Sequence, residues 1–451
     1  MNNYDFYAGF ARVDITPSLD VPIIGYYVER KVEGVLDNLE VNAVALKVKD
    51  KKALFLSVDN CGVEKHDIKV INEMIFNSVG LLSDEIFIHS THTHTGPGAS
   101  LTFGENDPLL KEYKVNLFSK CVLAANLALQ DLKPAKMGYG IGEAKNVAFV
   151  RRFKMKDGSI QTNPGVNNPD ILHPLGDVDE RVNVIRIDRE NAETIVFANF
   201  GNHPDTVGGS KISGDWPNFT RKFVERAIEN TKCIFFNGCQ GDVNHVNVHP
   251  QAGDFNDMFH DFDGCSRGYG HARHIGRVVA AGVMQVYDKV NYVKVDSLKT
   301  VTKTVKIASN KATPEQLPMA KELLALHKAG KDDQIPYKGM MLTTVVAEAK
   351  RMVNLENGPD YYTLTLTGVR LGEAYFIGLP GEPFTGIGRA IKKASENGIV
   401  LPCCIVNDSA GYFPTKEAYD EGGYEARSSV FAPTVAETLI KASEEMIKEL
   451  N

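Results

Sequence analysis

The sequence predicts an α/β fold, with mixed β-sheets flanked by helices, in a single domain spanning residues 1–451. Three observations carry that reading. Short alternating or wholly apolar runs recur between longer stretches with apolar residues every three to four positions, so strands and helices are interleaved along the chain. The two kinds of element do not alternate strictly, which points to mixed sheets rather than a barrel. No repeat, low-complexity tract or linker divides the sequence, and a hydrophobic content of 43% with 24% charged residues leaves ample material for a core.

In order, Tyr7–Pro17 reads as an edge strand ended by its proline, followed by loops at Gly25-Tyr26-Tyr27 and Val35–Asn38. Val41–Val48 and Ala53–Asp59 form a hairpin feeding a buried strand, and Lys65–Asn77 has helical spacing. Ile86–His89 is a buried strand. Asn106-Asp107-Pro108 supplies a cap and a first-turn proline for a helix running to about Leu132. Lys136–Ala148 is strand-like, and Phe149–Gly165 is a polar loop with a hairpin signal at Asp157-Gly158. Arg181–Asp188 and Glu193–Phe200 form a hairpin. Asp215 caps a helix over Trp216–Asn230, and Cys233–Phe236 is a short buried strand. Residues 247–268 read as a lid or insertion, and Tyr269–Tyr287 as a helix. Val295–Ser309 is a strand, and residues 313–355 a helical insertion broken at Gly330–Pro336. Strands at Tyr361–Gly372, Ala374–Leu379 and Leu401–Asn407, a helix at Gly386–Asn397 and a closing helix at Pro433–Leu450 complete the chain.

The bulk properties exclude some functions. A net charge of −7 and a pI of about 6.0 argue against a nucleic-acid partner. No apolar run approaches the roughly 20 residues of a membrane span. The N-terminal segment has no basic stretch leading into an apolar one, so no export signal is read there. The seven cysteines are odd in number, lack a Cys-x-x-Cys pair and sit in apolar contexts, which suggests reduced thiols in a cytoplasmic protein.

The chemistry concentrates where buried strands run into short polar turns: HSTHTHTGPG, FGNHPDTVGG, FFNGCQGDVN and GLPGEPF, with IVNDSAGYFPT adding a tyrosine. Strand ends converge on one edge of a sheet in open α/β folds. In an extended chain His92 and His94 point to the same face, away from Thr91 and Thr93. Such a pair suits a metal or a general base, and suits a solvated loop about equally well. Two histidines and a carboxylate drawn from different strands are a usual ligand set for catalytic zinc. Taken singly, His203 also reads as a loop histidine and Glu382 as a helix N-terminal charge.

The order of motifs resembles the catalytic domain of the neutral/alkaline (non-lysosomal) ceramidase family. The matching pieces span most of the chain: GFARVDITP, THTHTGPG, an arginine-bearing loop, NHPDTVGGSKISGD, GCQGDVN, GLPGEPF and GYFPTKEAYDEGGYEA. The resemblance implies one Zn²⁺ per chain, with His92, His203, Glu382 and Tyr412 as ligands. It implies His94 unligated beside the substrate carbonyl, and a site arginine at Arg151, with Arg152 the near alternative. The implied reaction is hydrolysis of a linear N-acyl bond by metal-activated water, zinc bringing the pKa of water to about 7. Zinc, Tyr412 and His94 would then stabilise the tetrahedral oxyanion, with the phenol pKa lowered by the cation. Asp242 and Asp215 are candidates for orienting a ligand histidine, against readings as a turn residue and a helix cap; for Asp215 the cap is favoured.

The departures also matter. The family's immunoglobulin-like C-terminal domain and secretion signal are not recognised here, and a serine sometimes given a catalytic role is replaced by Asn244. The 247–264 segment is acidic rather than apolar, unlike a lipid-binding lid. The expectation is a cytoplasmic relative acting on an N-acyl lipid or, more naturally, a smaller polar amide, with a homo-oligomer allowed. Two alternatives stand beside it. One is an ester or lactone hydrolase, or an isomerase or lyase, acting on a sugar-like metabolite. The other is a zinc-binding protein without activity. His245, His249, His260 and Asp261 are candidates for a second metal site, against the commoner reading of solvated histidines.

Overall fold

Two β-sheets lie face to face, with a cluster of phenylalanines between them. The computed structural model describes residues 5–97, 106–251, 259–260, 265–395 and 397–451. The larger sheet runs in the order Thr231–Asn237, Thr194–Phe200, Arg181–Arg189, Lys133–Glu143, Phe6–Asp14, Glu40–Val48, Lys51–Val58, Ile86–Ser90, with Asn291–Val293 added beside Lys133–Glu143. The smaller has four strands: Leu298–Ala308, Tyr361–Leu371, Ala374–Gly378 and Ile399–Cys403. Phe55, Phe87, Phe197 and Phe236 of the first meet Val369, Phe376 and Leu401 of the second, and the Phe55 and Phe376 rings are 4.7 Å apart.

The outer faces are covered by helices. Lys65–Val79 and Pro108–Gln130 pack on Val13, Ala43 and Leu56, while Asp215–Ala227 and Tyr269–Tyr287 pack on Val184, Val196 and Phe235. Thr385–Lys392 and Val435–Leu450 cover the smaller sheet. The result is a four-layer α/β/β/α arrangement, the mixed α/β fold the sequence predicts. Strands buried on both faces must be apolar throughout, which is why VNVIRI and IVFANF show no strict alternation.

Most elements fall within a few residues of their expected limits; Tyr269–Tyr287 is placed as predicted. Two differ. Phe6–Asp14 is an interior strand, paired to both Glu40–Val48 and Lys133–Glu143, rather than an edge. Pro17 lies beyond its end and removes no ladder hydrogen bond. The Phe149–Gly165 region is not simply a loop: Arg152–Met155, Ile160–Thr162 and Ile171–Pro174 form a small sheet about the Asp157-Gly158 turn, where Gly158 takes φ 87°.

Topology brings the chemistry together. Within the two facing sheets, three pairs of neighbouring strands are parallel: Lys51–Val58 with Ile86–Ser90, Thr194–Phe200 with Thr231–Asn237, and Ala374–Gly378 with Ile399–Cys403. Parallel neighbours end at the same edge, so the segments carrying Cys61, His92, His203, Asp242, Glu382 and Tyr412 all leave the sheets on one side.

Candidate metal centre

The histidine strand ends at Ser90, short of the His-x-His pair. His92 takes φ 72°, a left-handed conformation uncommon for a residue with a side chain. Strand alternation therefore does not align His92 with His94, contrary to the sequence argument; a backbone kink does. The kink is held by His92 N donating to Asn60 O at 2.8 Å and His92 Nδ1 donating to Cys61 O at 2.5 Å. That second bond fixes the tautomer and leaves Nε2 as a lone pair facing the site. His89, the third histidine of the stretch, is structural: its Nε2 accepts from Asn237 N at 2.9 Å, tying two strand ends together.

His92 Nε2 lies 3.3 Å from Glu382 Oε2, and His203 Nε2 lies 3.8 Å from the same oxygen. His94 Nε2 is 3.2 Å from both His92 Nε2 and His203 Nε2. All four side chains are buried, and Glu382 Oε2 has no hydrogen-bond partner among the described residues. Burial first, then Arg151 and the neighbouring imidazoles, drives the His203 pKa well below its ordinary value. Burial opposes charge on His92 too, but Glu382 and Cys61 outweigh it and raise that pKa. Converging imidazole lone pairs around an unpartnered buried carboxylate are the donor set a divalent transition metal requires, and the residues present fit one. A second group, Cys61, His92 and His94, is also close enough. It fits less well, because Cys61 Sγ faces His92 Nδ1, which is already committed to a carbonyl.

Tyr412 reaches the site by register. The two-residue strands Glu382–Pro383 and Tyr412–Phe413 are parallel with Glu382 opposite Tyr412, and Glu382 N donates to Gly411 O at 2.9 Å. Burial and then Glu382 push the phenol pKa well up, with Arg151 opposing. The fall expected from the sequence rested on an adjoining cation; the protein groups alone act the other way.

Arg151 stands over the Tyr412 ring at 5.4 Å, pairs with Glu425 at 2.7 Å and donates to Gly241 O at 2.8 Å. Arg152 points elsewhere, to Glu421 at 3.0 Å and Gly422 O at 2.8 Å. Asp242 accepts from both N and Oγ1 of Thr385 at 2.7 Å, holding the N-terminus of the helix after Glu382. It does not touch a ligand histidine. Asp215 is not the helix cap expected of it. It sits in the helix's first turn at φ 55° and accepts from Thr206 N and Val207 N at 2.9 and 2.8 Å, fastening the loop that carries His203. Asn244 bonds Asn163 at 2.9 Å, away from the cluster. His245 Nε2 bonds Ser266 O at 2.7 Å and His249 is exposed, so neither joins a metal group; the His260 side chain and Asp261 lie outside the described residues, as does most of the lid segment.

Several site residues escaped sequence reasoning. Asp205, two positions after His203, faces His94 Nδ1 at 3.6 Å, accepts from Tyr26 Oη at 2.7 Å and forms a two-pronged pair with Arg267 at 2.9 and 2.7 Å. Arg30 Nη2 donates to His94 O at 2.7 Å. Gly25, at φ 107°, packs where a Cβ would meet the His94 ring at 2.9 Å. Tyr27 and Tyr424 share a hydroxyl contact of 2.8 Å. The NHPD carboxylate was the one readable signal; the others come from distant segments. Above this floor lies a cavity of about 350 Å³, whose far wall is the helix Gly339–Glu356.

No protein-family model and no curated protein matches the sequence. Among solved structures, the chain is similar to neutral ceramidase from Pseudomonas aeruginosa, with a TM-score of 0.73 at 18% identity over 100% of this chain and 75% of that one. It is similar to a ceramidase complexed with C2 at 0.73 and 17%, over 99% and 76%. The protein thus has a neutral-ceramidase-like α/β fold. No helix among the described residues is long and apolar enough to cross a membrane.

Proposed function

We propose that the chain is a zinc-dependent hydrolase of a linear amide, a relative of the neutral ceramidases that acts on a small polar N-acyl compound. The observation that carries this is the meeting of His92, His203 and Glu382 around one point, with His94 Nε2 3.2 Å from two of them at the floor of a cavity. His92, His203 and Glu382, with Tyr412 as the fourth ligand, would hold the ion; among the described residues Cys61 is the one cysteine in a group close enough to bind a metal. Zinc bound there supplies a water nucleophile at neutral pH and polarises a carbonyl.

The chain's own residues do the rest. Asp205 favours the proton on His94 Nδ1, which leaves Nε2 free to accept a proton from the attacking water. The imidazolium so formed faces the developing oxyanion and then returns the proton to the leaving amine. Arg151 holds the Tyr412 hydroxyl toward the same oxyanion. Ceramide itself is disfavoured. The cavity is at the small end of ligand sites, and among the described residues its aliphatic wall residues are Ala347 and Val430.

The test is carboxylate release from short N-acyl amides by zinc-loaded protein, with and without chelator. Chelator-sensitive turnover is expected, absent in His92→Ala. His94→Ala is expected to keep its zinc and lose about 10²–10⁴-fold in rate. A zinc-loaded protein that cleaves no amide but opens esters or lactones would overturn the amide reading and leave the metal site standing.

A further inference from the structure

The helix Gly339–Glu356 belongs to the segment read from sequence as an insertion, yet it forms the cavity's outer wall. Ala347, Lys350, Arg351 and Asn354 all line the cavity, at the i, i+3, i+4, i+7 spacing that defines one helix face. Their roles differ sharply. Arg351 is buried and anchored: its Nε donates to Arg427 O at 2.7 Å and its Nη1 to Asn310 O, with Nη2 3.8 Å from Glu348. Lys350 is exposed, and among the described residues no hydrogen bond or ion pair engages its ammonium.

The carboxylates nearby are spoken for. Glu348 bonds Arg427 at 2.8 Å, and Glu425 pairs with Arg151 at 2.7 Å. Among the lining residues Glu382 is the one carboxylate, and the ion it helps to hold would more than neutralise it. The lining then carries net positive charge, with a cation at the floor and a second, uncommitted one at the mouth.

We propose that Lys350 is a specificity-determining residue that binds an anionic group, a carboxylate or a sulfonate, on the substrate's distal end. This rests on the amide-hydrolase reading of the metal centre. It extends that reading by naming the substrate class: an N-acyl amine bearing an acid, of the N-acyl amino acid kind. The acyl carbonyl sits at the His94 floor and the acid at the helix face, with Asn354 one turn further on as a second donor. Charge complementarity of this kind discriminates between substrates of similar shape.

The experiment is calorimetric binding of N-hexanoylglycine, N-hexanoyltaurine and the neutral N-hexanoylglycinamide to zinc-loaded protein in the slow His94→Ala background, wild type here denoting intact Lys350. Wild type is expected to bind at least one acid about tenfold more tightly than the neutral amide, the range of one charge-assisted hydrogen bond. Which acid wins distinguishes carboxylate from sulfonate. Lys350→Met is expected to keep its zinc content and its affinity for the glycinamide while losing the preference. Equal wild-type affinities for acid and amide would overturn the proposal. So would a preference that survives in Lys350→Met, since the acid would then be held by the metal. Binding is read without turnover, so a protein that binds acids through Lys350 yet cleaves none of them would contradict the amide-hydrolase reading alone.

Discussion

The floor of the cavity and its mouth are built in different ways. Each floor residue sits just past the end of a buried strand and is fixed through its backbone. His92 is pinned by Asn60 and Cys61, and Glu382 by Gly411. His203 lies on a loop fastened by the buried Asp215, and its carbonyl lies 3.5 Å from Trp216 Nε1. The mouth is one face of one helix, with Lys350 and Asn354 presented to solvent. A floor of this kind, fixed at strand ends, tolerates little change. A mouth of this kind can be altered one side chain at a time without disturbing the layer beneath. On the proposed reading, chemistry is kept on the strand ends, while substrate choice lies with an exposed helix face.

The comparison breaks most visibly at the floor. Glu382→Ala removes the carboxylate shared by His92 and His203 and leaves their Nε2 atoms without a counter-charge. Zinc affinity is expected to fall by more than about 100-fold, measured by metal content after dialysis, since losing even an outer partner of a ligand costs 10–100-fold. Turnover should vanish with the metal. Thermal unfolding should also stop responding to added zinc, because an ion that binds only the folded state at 100 times its Kd stabilises by about 2.7 kcal/mol. Stoichiometric zinc in the variant would exclude Glu382 as a ligand.

The same contrast explains what was legible in the sequence. Floor residues lie in short motifs at strand ends, ambiguous one by one, and it is the resemblance carried by the order of those motifs that singles out His92, His94, His203, Glu382 and Tyr412. The geometry was not legible: alternation along a strand put His92 and His94 on one face, whereas the strand stops at Ser90 and a left-handed His92 does the aligning. A single φ angle has no periodic signature. Asp215 read as a helix cap because Asp before an apolar run usually is one; here its Oδ1 accepts from the adjacent Trp216 N, while its Oδ2 is taken by amides of a loop eight and nine residues upstream. Tyr27, Arg30 and Glu425 were silent because their importance lies in contacts spanning long stretches of chain, as in Tyr27 with Tyr424. The mouth helix was silent for another reason. Ala347, Lys350, Arg351 and Asn354 make an ordinary amphipathic pattern, and only the position of that face over the cavity distinguishes it.

Arg151 and Arg152 sharpen the boundary between site and scaffold. They are adjacent in sequence, both buried, and both near Glu425, at 2.7 and 3.9 Å. Only Arg151 reaches the Tyr412 ring. Arg152 lies 5.4 Å over the Phe384 ring and anchors Gly422. Lysine keeps the charge and loses the planar fork. Arg151→Lys is expected to lower kcat by about 10–100-fold with zinc retained, the loss typical of a residue that orients the groups around a metal. Arg152→Lys is expected to leave kcat within about threefold while lowering Tm by a few degrees. Equal kcat losses in the pair would mean that both arginines act through Glu425 and that the boundary is drawn in the wrong place.

The smallest effect belongs to Asn354. It is exposed, its side-chain amide makes no hydrogen bond with a described residue, and it stands four positions beyond Lys350 on the cavity face. Removing its amide costs the fold nothing, since no partner is left unsatisfied, so Asn354→Ala should leave Tm and zinc content unchanged. A neutral hydrogen bond to a bound substrate contributes about 1 kcal/mol, so KM should rise about fivefold at constant kcat. That split is the mark of a group binding ground state and transition state alike, as a mouth residue should. A fall in kcat instead would mean that the helix face takes part in the transition state, and that mouth and floor are one mechanical unit.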